Sequence, residues 1–182
     1  MSGKGDRWYV ALLRGVNVGG HHKLPMKDLS AIVEDAGARR VSTYIQSGNA
    51  VFQARPSRAP GLAAAIGDGI EARCGFRVPV VLRAIDEVRA AVEHNPFAGV
   101  EPRALHLGFL AEQPAASAVA ALDPDRFAPD RFAVCGREIY FCYPNGMGRS
   151  KLTLAYFKPL GTVCTVRNWN TVQALVALAA DH

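Results

Sequence analysis

Two stretches far apart in the chain decide the fold: "VLRAIDEVRAAV" (81–92) and "CTVRNWNTVQALV" (164–176). In each, a short apolar run with two-residue alternation passes directly into a pattern with helical spacing. When Arg83 is set against Arg167, three further apolar positions coincide, namely Val88 with Val172, Ala90 with Ala174, and Val92 with Val176. This agreement predicts that one strand-and-helix unit occurs twice in the chain.

The first half of the chain alternates strand and helix periodicities around this unit. Strands are predicted at 7–15, at 39–53 as a hairpin, and at 77–83, with helices at 24–37, 59–76 and 85–97. The hairpin turns at Ser47-Gly48-Asn49, residue types that tolerate the positive φ of a tight turn. The helix 59–76 is the weakest prediction because Gly67 and Gly69 each cost about 1 kcal/mol relative to Ala. The resulting order is βαββαβ followed by a helix.

The second half repeats this order. Strands are predicted at 105–112, at 130–143 as a hairpin that turns at Gly136, and at 162–167, with helices at 114–123, 149–161 and 168–180. A split βαβ order is typical of ferredoxin-like folds. We therefore expect an α+β protein of two ferredoxin-like βαββαβ subdomains related by internal duplication, each followed by a helix. The expected subdomains are 7–98 and 103–182, and the turn-rich segment 95–104 joins them. One continuous mixed sheet across both halves is the alternative.

Composition favours an ordinary globular protein with a moderately basic surface. The 182 residues are 49% hydrophobic and carry a formal net charge of +5. All of the excess lies in residues 1–91, which hold 13 Lys and Arg against 8 Asp and Glu, whereas residues 92–182 hold 8 of each. No stretch approaches the ~20 apolar residues that a membrane span needs. We expect a soluble cytoplasmic protein with reduced cysteines and no membrane contact. The basic surface suits an anionic partner, and it is also within the ordinary range of soluble proteins.

The first of four polar clusters, "RGVNVGGHHK" (14–23), lies at the first strand-to-helix crossover. Its glycines favour backbone amides that converge on an anion, and its cations add positive charge. The candidate ligand-binding residues are Arg14, Asn17, Gly19, Gly20 and Lys23. A plain glycine-rich turn explains the spacing equally well. His21-His22 lack acidic or cysteine companions, so no metal site is expected.

The second and fourth clusters are "TYIQSGN" (43–49) and "TVRNWNT" (165–171). In the second, Tyr44 and Gln46 alternate along a predicted strand, and Gln46 is the candidate ligand contact. In the fourth, the candidates are Arg167 and Asn168. Hairpin and helix-capping chemistry explains most of both clusters, although capping does not explain Arg167.

The third cluster, "YPNGMGRSK" (143–151), carries the strongest prediction. Cations at the start of the predicted helix 149–161 would face the positive end of its dipole, at a cost of roughly 0.3–1 kcal/mol each. A bound anion would offset that cost. The candidate ligand contacts are Tyr143, Gly146, Gly148, Arg149, Ser150 and Lys151. A flexible turn with solvated cations is the competing interpretation.

No cluster contains an Asp or Glu, and no hydrolase, metalloprotease or P-loop motif is present. Donors and cations without an acceptor favour the binding of an anion over its chemical conversion. The sequence indicates no cofactor and leaves the oligomeric state open.

Taken together, "YVALLRGVNVGGHHKLPM", "VSTYIQSGNAVF", "NPF", "YPNGMGRSKLT" and "TVRNWNTV" resemble, in that order, the bacterial family catalogued as domain of unknown function 1697. The resemblance runs from about Trp8 to Leu178. It implies an α+β chain of two subdomains and brings no established activity, substrate or cofactor. The chain departs from the family pattern at Leu154, where the resemblance leads us to expect an Asn.

Three functions fit these patterns. The leading hypothesis is a binding protein for a phosphorylated small molecule or nucleic acid, in which Tyr44 and Tyr140 would stack on bases. The alternative is an enzyme that acts on a phosphorylated metabolite or nucleotide, with Lys151 or Tyr143 titrating. A third hypothesis is an interaction module in which the clusters only close turns and cap helices.

Overall fold

The computed structural model describes residues 5–180 and shows a mixed α+β chain. Within that range the strands are β1 Arg7–Leu13, β2 Arg39–Thr43, β3 Asn49–Ala54, β4 Val80–Ala84, β5 Leu105–Leu110, β6 Arg131–Cys135, β7 Glu138–Cys142 and β8 Cys164–Asn168. The α-helices are α1 Met26–Asp35, α2 Ala59–Cys74, α3 Ile85–Glu93, α4 Ala116–Ala120 and α5 Trp169–Ala180. Short 3₁₀ segments occur at Pro56–Arg58, Pro102–Ala104, Met147–Arg149 and Leu154–Leu160.

The eight strands form two separate four-stranded antiparallel sheets. Their orders are β2-β3-β1-β4 and β6-β7-β5-β8, so corresponding strands of the two halves hold corresponding places. The alternative of one continuous mixed sheet is therefore wrong. None of the helices in residues 5–180 is long and apolar enough to cross a membrane.

Contacts divide the described chain into two compact units. One comprises residues 5–90 and 174–180, and the other comprises Ala91–Gln173. This division differs from the expected ranges 7–98 and 103–182, because it places the boundary inside α3 and returns the end of α5 to the first unit.

The core of the first unit lies between one face of its sheet and the helices α1 and α2. Leu62, Ile66 and Ile70 recur every fourth residue of α2 and are buried in this core, which explains why the segment is helical despite its glycines. Gly69 has its own packing reason. A Cβ at that position would lie 2.7 Å from Cγ2 of Ile32 in α1, so the close approach of the two helices requires glycine.

The core of the second unit is aromatic. Phe132, Phe141 and Phe157 are buried, and the ring of Phe157 meets the other two edge to face at centroid distances of 5.0 and 5.5 Å. Phe157 comes from the 3₁₀ segment Leu154–Leu160, which covers this face of the sheet in the place of a second long helix.

The predicted α-helix at 149–161 is wrong. The chain makes a 3₁₀ turn at Met147–Arg149, continues as irregular chain, and then forms the 3₁₀ segment Leu154–Leu160, which contains Pro159. Two local causes act against an α-helix. The side-chain Oγ of Ser150 accepts a hydrogen bond from the Leu152 amide at 2.9 Å, and proline cannot donate within a helix. Arg149 and Lys151 therefore do not lie in the first turn of an α-helix, and the dipole argument for an anion does not apply.

Candidate functional site

A surface cavity of about 390 Å³ opens in the second unit between two loops. The loop between α4 and β6 contributes residues 126–130, and the loop after β7 contributes Asn145, Gly146 and residues 149–151. The cavity thus brings four of the predicted site residues together, namely Gly146, Arg149, Ser150 and Lys151. Gly148 belongs to the same loop and is exposed, although it is not among the residues that line the cavity.

Local turns hold the second of these loops in place. The amide of Gly146 donates to the carbonyl of Tyr143 at 3.0 Å, and the amide of Ser150 donates to the carbonyl of Met147 at 3.1 Å. Gly146 adopts φ +85°, a backbone conformation that glycine tolerates and that residues with a Cβ rarely adopt. The glycine between Asn145 and Met147 therefore sets the path that directs residues 149–151 into the cavity.

A hydrogen bond between Ser150 and Asp130 joins the two walls. The Ser150 hydroxyl donates to Oδ2 of Asp130 at 2.6 Å, across 20 residues of sequence. Asp130 is itself fixed by its backbone amide, which donates to the carbonyl of Phe127 at 2.9 Å. Tertiary structure therefore adds a carboxylate to the cavity that the sequence cluster itself lacks, and this carboxylate is bonded to Ser150 and not to the cations.

Three cations line the cavity: Arg126, Arg149 and Lys151. All three are exposed, and within residues 5–180 none of them forms an ion pair. The Arg126 guanidinium packs over the rings of Phe127 and Tyr156, with its central carbon 5.7 Å from each ring centre. With Asp130, the cavity carries a net charge of +2.

Sequence reasoning missed Arg126 and Asp130. The signal that could have found them is a tandem repeat, since "PDRF" occurs at 124–127 and again at 129–132. Both arginines of the repeat lie over aromatic rings, because the Arg131 guanidinium lies 4.8 Å from the ring centre of Phe97. Asp130 belongs to the second copy and Arg126 to the first.

Tyr143 does not line the cavity. Its side chain is 3% exposed, its ring stacks on Phe141, and its hydroxyl donates to the carbonyl of Leu152 at 3.3 Å. Burial raises the pKa of the Tyr143 hydroxyl above its ordinary value, and the nearby Asp130 carboxylate adds to the increase. Tyr143 therefore supports the loop from the core and does not titrate near neutral pH.

The first and second sequence clusters meet in the first unit through Asn17. Its side-chain amide donates to the carbonyls of Leu24 and Gln46 at 2.9 and 2.7 Å, and its Oδ1 accepts from the Leu24 amide at 2.8 Å. Asn17 thus closes its own loop and ties that loop to the neighbouring hairpin. The other predicted residues of the first cluster, Arg14, Gly19, Gly20 and Lys23, are exposed on the same loop.

The alternation of residue types predicted that Tyr44 and Gln46 lie on a strand, and this prediction is wrong. β2 ends at Thr43, and residues 44–48 form the connection to β3. Gln46 is exposed, and its backbone carbonyl is the acceptor for Asn17. Neither residue stands on a sheet face.

Arg167 and Asn168 have structural partners. Arg167 is 8% exposed, and its Nη1 donates to Oγ1 of Thr165 at 2.9 Å and to the carbonyl of Val166 at 3.0 Å. Burial lowers the pKa of Arg167 to about 10. Asn168 accepts a hydrogen bond from the Thr171 amide at 2.8 Å and so caps α5, as its residue type suggests.

Arg167 is not brought to the cavity residues. Because Val166 packs into the aromatic core, its neighbour Arg167 points from the opposite face of the sheet. Tyr140 is also buried, at 2% exposure, and its hydroxyl donates to the carbonyl of Ala91 at 2.8 Å. Tyr140 therefore offers no exposed ring on which a nucleic-acid base could stack.

Among residues 5–180, no group of three or more His, Cys, Asp or Glu side chains could hold a metal ion. The structure shows all four cysteines free of disulfide bonds.

Comparison with known proteins agrees with this architecture. Conserved bacterial protein SP0830 from Streptococcus pneumoniae has a solved structure that is 20% identical over 96% of this chain and 99% of its own, with a TM-score of 0.71. At that identity the likeness shows the fold alone. No curated protein matches the chain significantly. The family model described as "Protein of unknown function (DUF1697)" matches residues 7–140, nearly three quarters of the chain. The chain therefore belongs to the DUF1697 family.

Proposed function

We propose that this protein binds a phosphorylated small molecule in the cavity formed by residues 126–130 and 145–151. One observation carries the proposal: Arg126, Arg149 and Lys151 converge on one cavity, and no carboxylate in residues 5–180 pairs with any of them. Holding three like charges around a depression of the surface costs free energy. An anion with two negative charges would balance the net charge of +2.

The chemistry of the three side chains suits a phosphate. A guanidinium presents a planar fork that matches two phosphate oxygens, and an ammonium adds a compact point charge. The cavity volume of about 390 Å³ lies within the range of small-molecule sites. The size and the charge together support a phosphate group attached to a modest organic part.

Nucleic acid is less well supported as the ligand. Single-stranded binding needs exposed aromatic rings beside the cations, and Tyr140 is buried in the second unit. The Arg126 guanidinium covers the rings of Phe127 and Tyr156, which leaves those faces occupied. A surface cavity of about 390 Å³ accommodates a single phosphate ester more readily than a continuous backbone.

An enzyme acting on a phosphorylated metabolite or nucleotide is the second candidate function, and one observation favours it. Asp130 and Ser150 place a carboxylate and a hydroxyl 2.6 Å apart inside the cationic cavity, as a proton-transfer site requires. Release of inorganic phosphate from a panel of phosphate esters, lost in Asp130→Asn, would establish this function. Binding of a phosphate ester without its turnover would reject the enzyme and support the binding protein.

We also propose that the two units are ferredoxin-like and related by internal duplication. The support is that the two sheets share one strand order and that each ends in a strand leading directly into a helix. We further propose a bacterial source, as for the similar protein from Streptococcus pneumoniae, and a cytoplasmic location. The second is supported because none of the four cysteines forms a disulfide bond, and cysteines stay reduced in the cytoplasm.

Isothermal titration calorimetry with inorganic phosphate, sugar phosphates, nucleotides, short RNA and short DNA tests the proposal. The wild type is compared with the double variant Arg149→Ala, Lys151→Ala. Since each hydrogen bond to a charged group contributes about 1.5–3 kcal/mol, the double variant should lose at least about tenfold in affinity. The matched control is Arg14→Ala, Lys23→Ala, which removes an exposed Arg and Lys from a loop of the first unit.

The control pair should leave the affinity unchanged. Heat of binding from none of these ligands, or an equal loss in both double variants, would reject the cavity as the anion site. Binding only to RNA or DNA, with an affinity that falls steeply as salt rises, would replace the small molecule by nucleic acid.

A further inference from the structure

We infer that the ligand of this cavity carries free hydroxyl groups beside its phosphate, as a phosphorylated sugar does. This inference rests on the proposed anion site and concerns Asp130, the one carboxylate among the residues that line the cavity. Asp130 joins the two walls through Ser150, but its negative charge also repels an anionic ligand unless that ligand offers it a hydrogen-bond donor.

The hydrogen bonding of Asp130 is the first step of the argument. Its Oδ2 accepts the Ser150 hydroxyl at 2.6 Å, whereas its Oδ1 has no hydrogen-bond partner in the part of the chain that the structure describes. Ser150 is held in turn by the Leu152 amide, which donates to its Oγ at 2.9 Å. One carboxylate oxygen is therefore used to fix the orientation, and the other remains available as an acceptor.

The second step concerns the cations. No side-chain nitrogen of Arg126, Arg149 or Lys151 lies within 4.0 Å of a carboxylate oxygen of Asp130, so the carboxylate does not neutralise any of them. The cavity thus presents two separate features, a cationic part and an oriented acceptor. A ligand that satisfies both has an anionic group and a hydrogen-bond donor.

The third step identifies the donor. An ammonium group would satisfy Asp130, but three cations around the same cavity would repel it. A hydroxyl donates without carrying charge, and it can also interact with the exposed amide of Asn145, which lines the cavity as well. The combination favours a phosphate ester of a polyol over a zwitterion, and over inorganic phosphate.

Calorimetric titration with two probes, ribose 5-phosphate and methyl phosphate, tests the inference. Both probes carry the same phosphate monoester, and only the first carries free hydroxyls. The affinity of the wild type for ribose 5-phosphate should be at least about tenfold higher than its affinity for methyl phosphate. The reason is that a hydrogen bond to a charged acceptor contributes more binding free energy than one between neutral groups.

Asp130→Asn should abolish this preference, because it weakens binding of ribose 5-phosphate while binding of methyl phosphate stays equal or becomes tighter as the repulsion is removed. The asparagine Oδ1 can still accept from Ser150, and thermal unfolding checks that the fold is retained. The matched control is Asp125→Asn in the first "PDRF" copy, an exposed acid outside the cavity lining, which should change neither affinity.

The outcomes separate the inference from the proposed function. If the wild type binds both probes equally and Asp130→Asn tightens both, the anion site stands and the hydroxyl inference is overturned. If neither probe binds, the anion site fails and the inference fails with it. The preference of the wild type is itself decisive, and it needs no variant to fold.

Discussion

Arg83 and Arg167 hold the same position in two different sheets. Each is the fourth residue of a five-residue strand, β4 or β8, and pairs with a residue of the neighbouring strand, Val10 or Leu107. In each case Nη1 donates to the carbonyl of the preceding residue at 3.0 Å, and the side chain is buried, with 1% and 8% exposure. Two buried guanidinium groups in equivalent places indicate a role in the fold, because a ligand contact would not need to recur in both halves.

Replacing Arg167 should therefore reduce stability and leave ligand binding intact. In Arg167→Ala, the Thr165 hydroxyl and the Val166 carbonyl lose a donor, and a cavity replaces the side chain. We expect a loss of about 2–4 kcal/mol in the free energy of unfolding, measured in urea. Arg126→Ala is the control with the opposite behaviour, since its exposed side chain contributes to the cationic cavity. Weaker ligand binding by a folded Arg167→Ala protein would mean that Arg167 contributes to ligand binding.

His106 should make the protein less stable as the pH falls. Its Nδ1 is buried without a hydrogen-bond partner among residues 5–180, and burial lowers the pKa of the ring below 6.5. The unfolded chain therefore binds a proton more readily than the folded chain. The contribution of neutral His106 to the free energy of unfolding is fully present above pH 6.5. It declines as the pH falls toward the pKa of the folded state, at no more than ~1.4 kcal/mol per pH unit for one proton.

The variant His106→Phe tests this dependence because it keeps a ring against Tyr143, whose centroid lies 5.3 Å away. Urea unfolding at pH 7.5 and at pH 5.5 should show the stability of the variant relative to the wild type rising at the lower pH. The exposed His21, replaced by Gln, serves as the control and should show no such change. Parallel pH profiles for His106→Phe and the wild type would rule out His106 as the cause.

The two hairpin glycines should differ in their tolerance of a methyl group. Gly48 has φ +81°, and a Cβ there would lie 2.6 Å from Cγ2 of Val16 and 2.8 Å from Cβ of Leu13, both buried. Gly136 has φ +59°, but its nearest contact would be Oε2 of Glu138 at 3.8 Å. Gly136→Ala should cost about 1–2 kcal/mol for the left-handed backbone alone. Gly48→Ala should cost roughly 1–3 kcal/mol more for the overpacking.

Thermal unfolding of the two variants measures this difference directly. Equal losses would mean that the backbone conformation accounts for both glycines, and that the loop around Val16 yields to the added methyl group without cost.

Asn17 should matter for stability through its side chain, and Gln46 should not. Asn17→Ala removes three hydrogen bonds that join Asn17 to Leu24 and to the Gln46 carbonyl, and we expect a loss of about 2–4 kcal/mol. Asn17→Gly removes the same bonds but accepts the native φ of +54°, so it separates the bonds from the backbone conformation. Gln46→Ala keeps the backbone carbonyl and should be neutral.

Urea unfolding gives the three stabilities, and calorimetry on the same proteins should show unchanged affinity at the cavity of the second unit. An Asn17→Ala protein that is as stable as the wild type, but binds phosphate esters more weakly, would move the ligand site to the first unit.

Much of the fold could be predicted because it depends on short-range patterns. The helical spacing within residues 24–37 predicted α1, and the turn residues at Gly48 and Gly136 predicted both hairpins. The segment 149–161 failed because apolar spacing alone does not distinguish an α-helix from irregular chain with a 3₁₀ segment. There, the hydrogen bond that the Leu152 amide donates to the Ser150 hydroxyl oxygen, together with the missing amide of Pro159, outweighs the periodicity.

The candidate site was only half predictable. Arg149, Ser150 and Lys151 could be selected because glycines and cations cluster in one short stretch. Tyr143 lies in the same stretch but is buried, and its burial depends on Phe141 and on the carbonyl of Leu152. Local sequence carries no record of such contacts.

By itself, the sequence determined the order of the eight strands and the family, because periodicity and turn chemistry act over a few residues and the family motifs are local. Only the tertiary structure decided which loops meet. It brought Asp130 to Ser150 across 20 residues, added Arg126 to the cations, and placed Arg167 and Tyr140 in buried positions. The physical reason is that burial and charge pairing are properties of the packed chain, in which neighbours in space are seldom neighbours in sequence.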